Sequence, residues 1–117
     1  MNTVQLVRQE RKKLFEVVLF PEVVADLDLL SDDVYDEVDH YFERLKINPL
    51  ACSLPLHDLD GRDLRGYRKI YVANATYRII IKVEQGVTKI VEVVAVGERN
   101  RMKVYTDTFA RILSRKI

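Results

Sequence analysis

The sequence predicts an α+β domain: an N-terminal strand and helical hairpin packed on a mostly antiparallel sheet, closed by a short C-terminal helix, in the order β-α-α-β-β-β-α. Three observations predict it. Apolar residues recur at helical spacing between positions 21 and 48, the period switches to two after Leu54, and brief turn signals separate the runs that follow. With 117 residues the chain has room for one domain. Its hydrophobic share of 48% against 32% charged residues excludes a disordered or collagen-like polymer.

Residues 1–13 are polar with a few apolar positions and read as an arm or a short helix. Leu14–Phe20 is β-branched and aromatic and too short for a stable helix, so it reads as a strand. Pro21 suits the first turn of a helix, and Val23, Val24, Leu27 and Leu30 follow at helical spacing. Ser31 is a second N-cap, with Asp32 and Asp33 at the positive end of the helix dipole. Val34, Val38, Tyr41, Phe42 and Leu45 line one face until Asn48-Pro49 stops the helix. Tyr67–Val72, Tyr77–Val83 and Ile90–Val96 form the meander, with turns at Ala73-Asn74 and Gln85-Gly86. Thr106 or Asp107 is the expected cap of the last helix, which runs through Phe109, Ile112 and Leu113 to Arg115 and Lys116.

The net charge of +1 conceals an asymmetry. Residues 1–60 carry 6 Lys and Arg against 13 Asp and Glu, a net −7, whereas residues 61–117 carry 13 against 5, a net +8. A basic surface on the C-terminal half suits polyphosphate; solvated faces of opposite sign are the plain alternative. A single cysteine, Cys52, excludes an internal disulfide framework and fits a reducing compartment. Cys52, His40 and His57 do not stand at metal-ligand spacing, so no metal site and no cofactor is expected. No apolar run approaches ~18 residues, and Leu14–Phe20, broken by Glu16, lacks a small-residue cleavage site. The expectation is a cytoplasmic protein with no membrane contact.

If Ile70, Val72, Ile79 and Ile81 face the helices, alternation leaves Lys69, Tyr71 and Arg78 on the opposite, partly bare face. The segment from Glu98 to Tyr105 reaches the edge of the same region. Cations beside tyrosines suit RNA, because ammonium and guanidinium groups hold phosphate while aromatic rings stack on bases. Strand propensity alone also places Lys, Arg and Tyr on solvated faces, and the residues by themselves leave both readings open. His57 carries a weaker case for chemistry, and His40 reads as solvated.

The stretch Leu64-Arg65-Gly66-Tyr67-Arg68-Lys69-Ile70, then Tyr77-Arg78-Ile79-Ile80, Val96-Gly97-Glu98-Arg99-Asn100-Arg101, Val104-Tyr105 and Arg111-Ile112-Leu113 resembles the RelE/ParE toxin superfamily of type II toxin–antitoxin modules, and its RelE branch most. The resemblance is close over residues 54–117, architectural over 14–50 and absent over 1–13. It implies a RelE-like toxin domain over 14–117 behind an arm of 13 residues. It also implies a metal-independent endoribonuclease that cuts messenger RNA in the ribosomal A site. There the ribose 2′-hydroxyl attacks the adjacent phosphate, leaving a 2′,3′-cyclic phosphate and a 5′-hydroxyl.

Position by position, the resemblance implies that Lys69 and Arg78 stabilise the phosphorane, Arg99 sits near the leaving 5′-oxygen, and Tyr105 stacks on or orients a base. Arg68, Arg101 and Lys103 are then RNA-binding residues. Tyr71 stands where the family often has a lysine credited as general base. Tyrosine and lysine have similar reference pKa values of ~10 and ~10.4, and surrounding cations favour the phenolate. The partners implied are a cognate antitoxin, forming a hetero-oligomer with the toxin, and the ribosome with its A-site mRNA. An antitoxin segment would cover the open sheet face or exchange with the last helix. The alternatives are a ParE-like toxin that inhibits DNA gyrase without RNA chemistry, or an inactive homologue retained for antitoxin binding.

Overall fold

The structure is a computed structural model of the chain and describes residues 14–59 and 62–116. The expected arm, residues 1–13, lies outside the described residues. Strand β1 (Glu16–Leu19) leads into helices α1 (Glu22–Asp28) and α2 (Asp32–Leu45). Three two-residue strands follow: β2 (Leu54–Pro55), β3 (Asp58–Leu59) and β4 (Arg62–Asp63). The meander is β5 (Tyr67–Val72), β6 (Tyr77–Gln85) and β7 (Lys89–Glu98), and α3 (Lys103–Ser114) closes the chain after a 3-10 turn. The sheet order is β1-β7-β6-β5-β2, with β1 parallel to β7 and every other pair antiparallel; β3 and β4 form a separate ribbon.

The helical hairpin covers one face as the periodicity requires. Ser31 caps α2, its hydroxyl accepting from the Val34 N–H at 3.4 Å, and Asp32 and Asp33 occupy the first turn. Val23, Val38 and Leu45 bury against Ile70, Val72, Ile79 and Ile81, which point inward together. A bulge in β7 breaks its alternation and turns two successive residues to the same face. Ile80 pairs with Ala95 and Ile81 with Val93, so Val94 is the additional residue. Val93 and Val96 therefore join the helical hairpin's core, while Val94 and Ala95 join a second one.

That second core lies under α3, where Leu56, Leu64, Ile80, Val94, Ala95, Val104, Tyr105 and Ile112 pack together. The far sheet face is thus covered along β6 and β7 and left open toward β5.

Two ion pairs tie α3 to α1. Arg111 forks onto Asp26 at 2.6 and 2.8 Å and also donates to the Val94 carbonyl at 2.9 Å. Asp26 also accepts the Val96 N–H at 3.0 Å, three residues past Val93, where the β1 pairing stops. Arg115 donates to Glu22 at 2.6 and 3.1 Å and lies 3.8 Å from the centroid of the Phe20 ring.

Helix α3 starts earlier than its capping signals suggest. Arg101 and Met102 adopt left-handed backbone (φ 54° and 60°), turning the chain so that helix begins at Lys103, ahead of Thr106 and Asp107. Burial of Val104, Tyr105, Thr108 and Ile112 outweighs the side-chain cap. Asp107 instead pairs with Lys103 at 2.8 Å, one turn back. Among the described residues no helix is long and apolar enough to cross a membrane.

Candidate functional site

The site is built on the β5–β6 hairpin. Tyr71 and Arg78 are directly opposed across the two strands, so their side chains leave the same sheet face as neighbours. Three consecutive residues in the connecting turn, Ala73, Asn74 and Ala75, have φ of 52°, 53° and 68°. Left-handed backbone is unfavourable for alanine by about 1–2 kcal/mol per residue, so the turn must be held by its surroundings. It is. Glu37 of α2 accepts the Ala73 N–H at 3.1 Å, and the Thr76 hydroxyl donates to the Ala73 carbonyl at 2.6 Å. The Arg99 N–H donates to the Thr76 carbonyl at 2.9 Å, fixing the end of β7 beside the turn.

This turn aims the Ala75 carbonyl at Arg78, whose Nη1 donates to it and, at 3.2 Å, to the Tyr77 carbonyl. Arg78 is only 5% exposed, and its Nε is buried with no hydrogen-bond partner. Its guanidinium lies 4.2 Å from the Tyr71 ring centroid, and the Lys69 ammonium lies 5.1 Å from the same point. Tyr71 nevertheless stays 41% exposed. Its phenol is held below the ordinary tyrosine value, first by the hydrogen-bonding Lys69 ammonium and further by the charges of Lys69, Arg78 and Arg99. Partial burial opposes these and does not prevail. A phenol poised toward phenolate, open to solvent and ringed by three cations can accept a proton and hold a phosphate in one place.

Lys69, Tyr71, Arg78 and Arg99 therefore come together. Other residues expected at the site do not. Tyr105 is 4% exposed and packed into the second core, so its ring offers no face to a base; it acts as a core residue of α3. Arg68 leaves the opposite side of β5 from Lys69 and donates to the Ser53 hydroxyl and carbonyl at 2.7 and 2.8 Å. That makes it an anchor for the loop before β2. Lys103 is spent on Asp107, with Asp26 also favouring its charged form, on the α1 side of the molecule. Arg101 stands exposed in the 3-10 turn. The turn falls where Ala73-Asn74 is expected to make one, and Asn74 suits left-handed backbone, but the left-handed Ala73 and Ala75 on either side of it had no signal in the sequence. Among the described residues, no group of three or more His, Cys, Asp and Glu side chains could hold a metal ion. His40 and His57 are exposed, and burial raises the pKa of the half-buried Cys52 thiol.

The arrangement is that of the RelE/ParE toxin fold. The free E. coli toxin RelE, carrying two arginine-to-alanine changes, superposes with a TM-score of 0.60 at 18% identity, covering 82% of this chain and 95% of that one. The RelBE2 toxin–antitoxin complex from Mycobacterium tuberculosis matches with a TM-score of 0.56 at 23% identity, over 71% of this chain and 95% of that one. The YoeB/ParE toxin from Agrobacterium tumefaciens gives 0.57 at 18% identity, over 72% and 98%. No family model and no curated protein matches the sequence. The shared property is the fold.

Proposed function

We propose that the protein is the toxin of a type II toxin–antitoxin system and a ribosome-dependent mRNA endoribonuclease. The observation that carries the reading is the convergence of Lys69, Arg78 and Arg99 on an exposed Tyr71 whose phenol is shifted toward its anion. Tyr71 phenolate accepts the proton of a ribose 2′-hydroxyl. The freed oxygen attacks the adjacent phosphorus, the bond to the 5′-oxygen breaks, and that oxygen takes up a proton to leave as a hydroxyl. The other product is a 2′,3′-cyclic phosphate. Arg78 and Lys69 carry the charge that develops on the phosphorane, and Arg99 faces the leaving oxygen. Side-chain cations supply the charge stabilisation, so the step needs no metal. Acting on the ribosome places the protein in the cytoplasm.

The partner is a cognate antitoxin, as in the RelBE2 complex, seated on the open β5 side or replacing α3. Two ion pairs and four buried side chains hold α3, which favours the open face as the first point of contact. Cell-free translation with mapping of mRNA ends tests the activity. Cleavage within codons, lost in Tyr71 and Arg78 variants, is the expected outcome. Intact mRNA together with inhibition of DNA gyrase supercoiling would overturn it in favour of a ParE-like toxin.

A further inference from the structure

Beside the candidate site a cleft of about 230 Å³ opens between the C-terminal end of α2, the segment before β2 and the outer edge of β5. We infer that it is a binding site for the single-stranded RNA nucleotide adjoining the cleaved phosphate. The inference rests on the nuclease reading for its placement, but its evidence is separate.

Charge comes first. Helix α2 is acidic over most of its length, with Asp32, Asp33, Asp36, Glu37, Asp39 and Glu43. Yet the cleft is lined by Arg44 and Lys69 and by no carboxylate. Arg44 makes no ion pair among the described residues; its guanidinium lies 5.4 Å from the Tyr41 ring centroid and its side of the helix is exposed. A cation left without a carboxylate at the rim of a cleft in an otherwise acidic region is placed for an anion from outside.

Aromatic surface comes second. Tyr41 and Tyr71 both line the cleft, giving the pairing of ring and cation that single-stranded nucleic acid uses in place of base-specific contacts. The volume lies below the ~300–1,000 Å³ of drug-sized sites, which suits one nucleotide and not a longer segment.

The wall of the cleft is also fixed in advance. Arg68 grips Ser53 through its hydroxyl and carbonyl, and the Ser53 hydroxyl donates to the Pro49 carbonyl at 2.6 Å. A ligand therefore meets a formed surface and little ordering entropy is lost on binding. Lys69 and Tyr71 belong to both cleft and candidate site, so a strand whose phosphate is held beside Lys69 would leave its neighbouring nucleotide here.

Cys52 lines the cleft and is the chain's single cysteine, which makes it a reporter. The probe is a trinucleotide RNA with a 2′-deoxy sugar at its cleavable position, and the measurement is the rate of Cys52 alkylation at fixed pH. The trinucleotide is expected to slow alkylation severalfold. Arg44→Ala and Arg44→Gln are expected to weaken that protection about tenfold, as for one lost charge-assisted contact. Lys46→Ala, two residues beyond Arg44, removes a cation engaged by Glu43 and leaves protection unchanged. Absence of protection, or protection equal in the Arg44 variants, overturns the inference. Ribosomal mRNA cleavage is scored in parallel. Protection that depends on Arg44 without cleavage would sink the nuclease reading and keep the cleft, while cleavage without protection would do the reverse.

Discussion

Arg78 stacks against the ring of the residue directly opposite it, Tyr71, at 4.2 Å, while its own Nη1 is fixed to the turn that joins their strands. One face of the guanidinium is thereby committed to holding it still. The pairing converts a flexible arginine into a preoriented donor and at the same time favours the phenolate it touches.

Arg78 variants follow from this arrangement. Removing a preorganised donor of transition-state charge typically lowers a rate by on the order of 10²–10³. Arg78→Ala is expected to show that loss in single-turnover cleavage and to abolish growth inhibition. The stack and the hydrogen bond to Ala75 also go, so stability should fall by about 1–2 kcal/mol in urea titration. Arg78→Lys keeps the charge without the planar fork and is expected to recover little of the rate. Wild-type cleavage in either variant would remove Arg78 from the chemistry.

In the proposed mechanism Tyr71 works as the phenolate, and its pKa is depressed, so single-turnover cleavage should rise with pH and level off below the ordinary tyrosine value of ~10. Lys69 is the first cause of the depression. Lys69→Ala should therefore move the levelling point upward, besides lowering the plateau. Tyr71→Phe should remove this limb of the profile altogether. A profile unchanged in Tyr71→Phe would exclude the residue as the base.

The sequence made some of this legible and hid the rest for identifiable reasons. Ser31 and the aspartates after it located the start of α2, because an N-cap is a local contact. The inward set Ile70, Val72, Ile79 and Ile81 followed from alternation alone, and the same alternation put Lys69, Tyr71 and Arg78 on one face. The burial of Tyr105 was hidden because the start of α3 depends on left-handed Arg101 and Met102, which no local preference reveals. The spacing of Val104, Thr108 and Ile112 at every fourth residue was the available signal. Asp26 and Arg111 are 85 residues apart, so neither could be read as the other's partner.

That pair is the strongest fastening of α3. The Asp26 carboxylate accepts from Arg111 and from the Val96 N–H, and both side chains are below 15% exposed. Asp26→Ala would leave a nearly buried guanidinium and an unpaired backbone donor. Losing one partner of such a pair costs about 3–5 kcal/mol, a large part of a typical total of ~5–15. The urea midpoint should fall accordingly. Asp26→Asn, which keeps one acceptor oxygen, should fall less. A change below ~1 kcal/mol for Asp26→Ala would mean that α3 is held by its apolar face alone.

The second fastening gives the protein an acid limit. Glu22 is held at about 2 instead of 4.5, chiefly by its hydrogen bonds from Arg115. A carboxyl whose folded pKa is depressed binds protons more readily in the unfolded chain. Its contribution is complete above 4.5 and is lost as pH falls toward 2. Wild type should therefore exceed Glu22→Gln in stability at pH 7, by a modest amount because the pair is part-exposed. The gap should shrink below pH 4.5 and close near 2. Paired urea titrations across that range measure it, and raising the salt to 1 M should narrow the gap at pH 7 by screening. A gap that stayed constant from pH 7 to 2 would show that Glu22 acts by packing on its neighbours, with no part played by its charge.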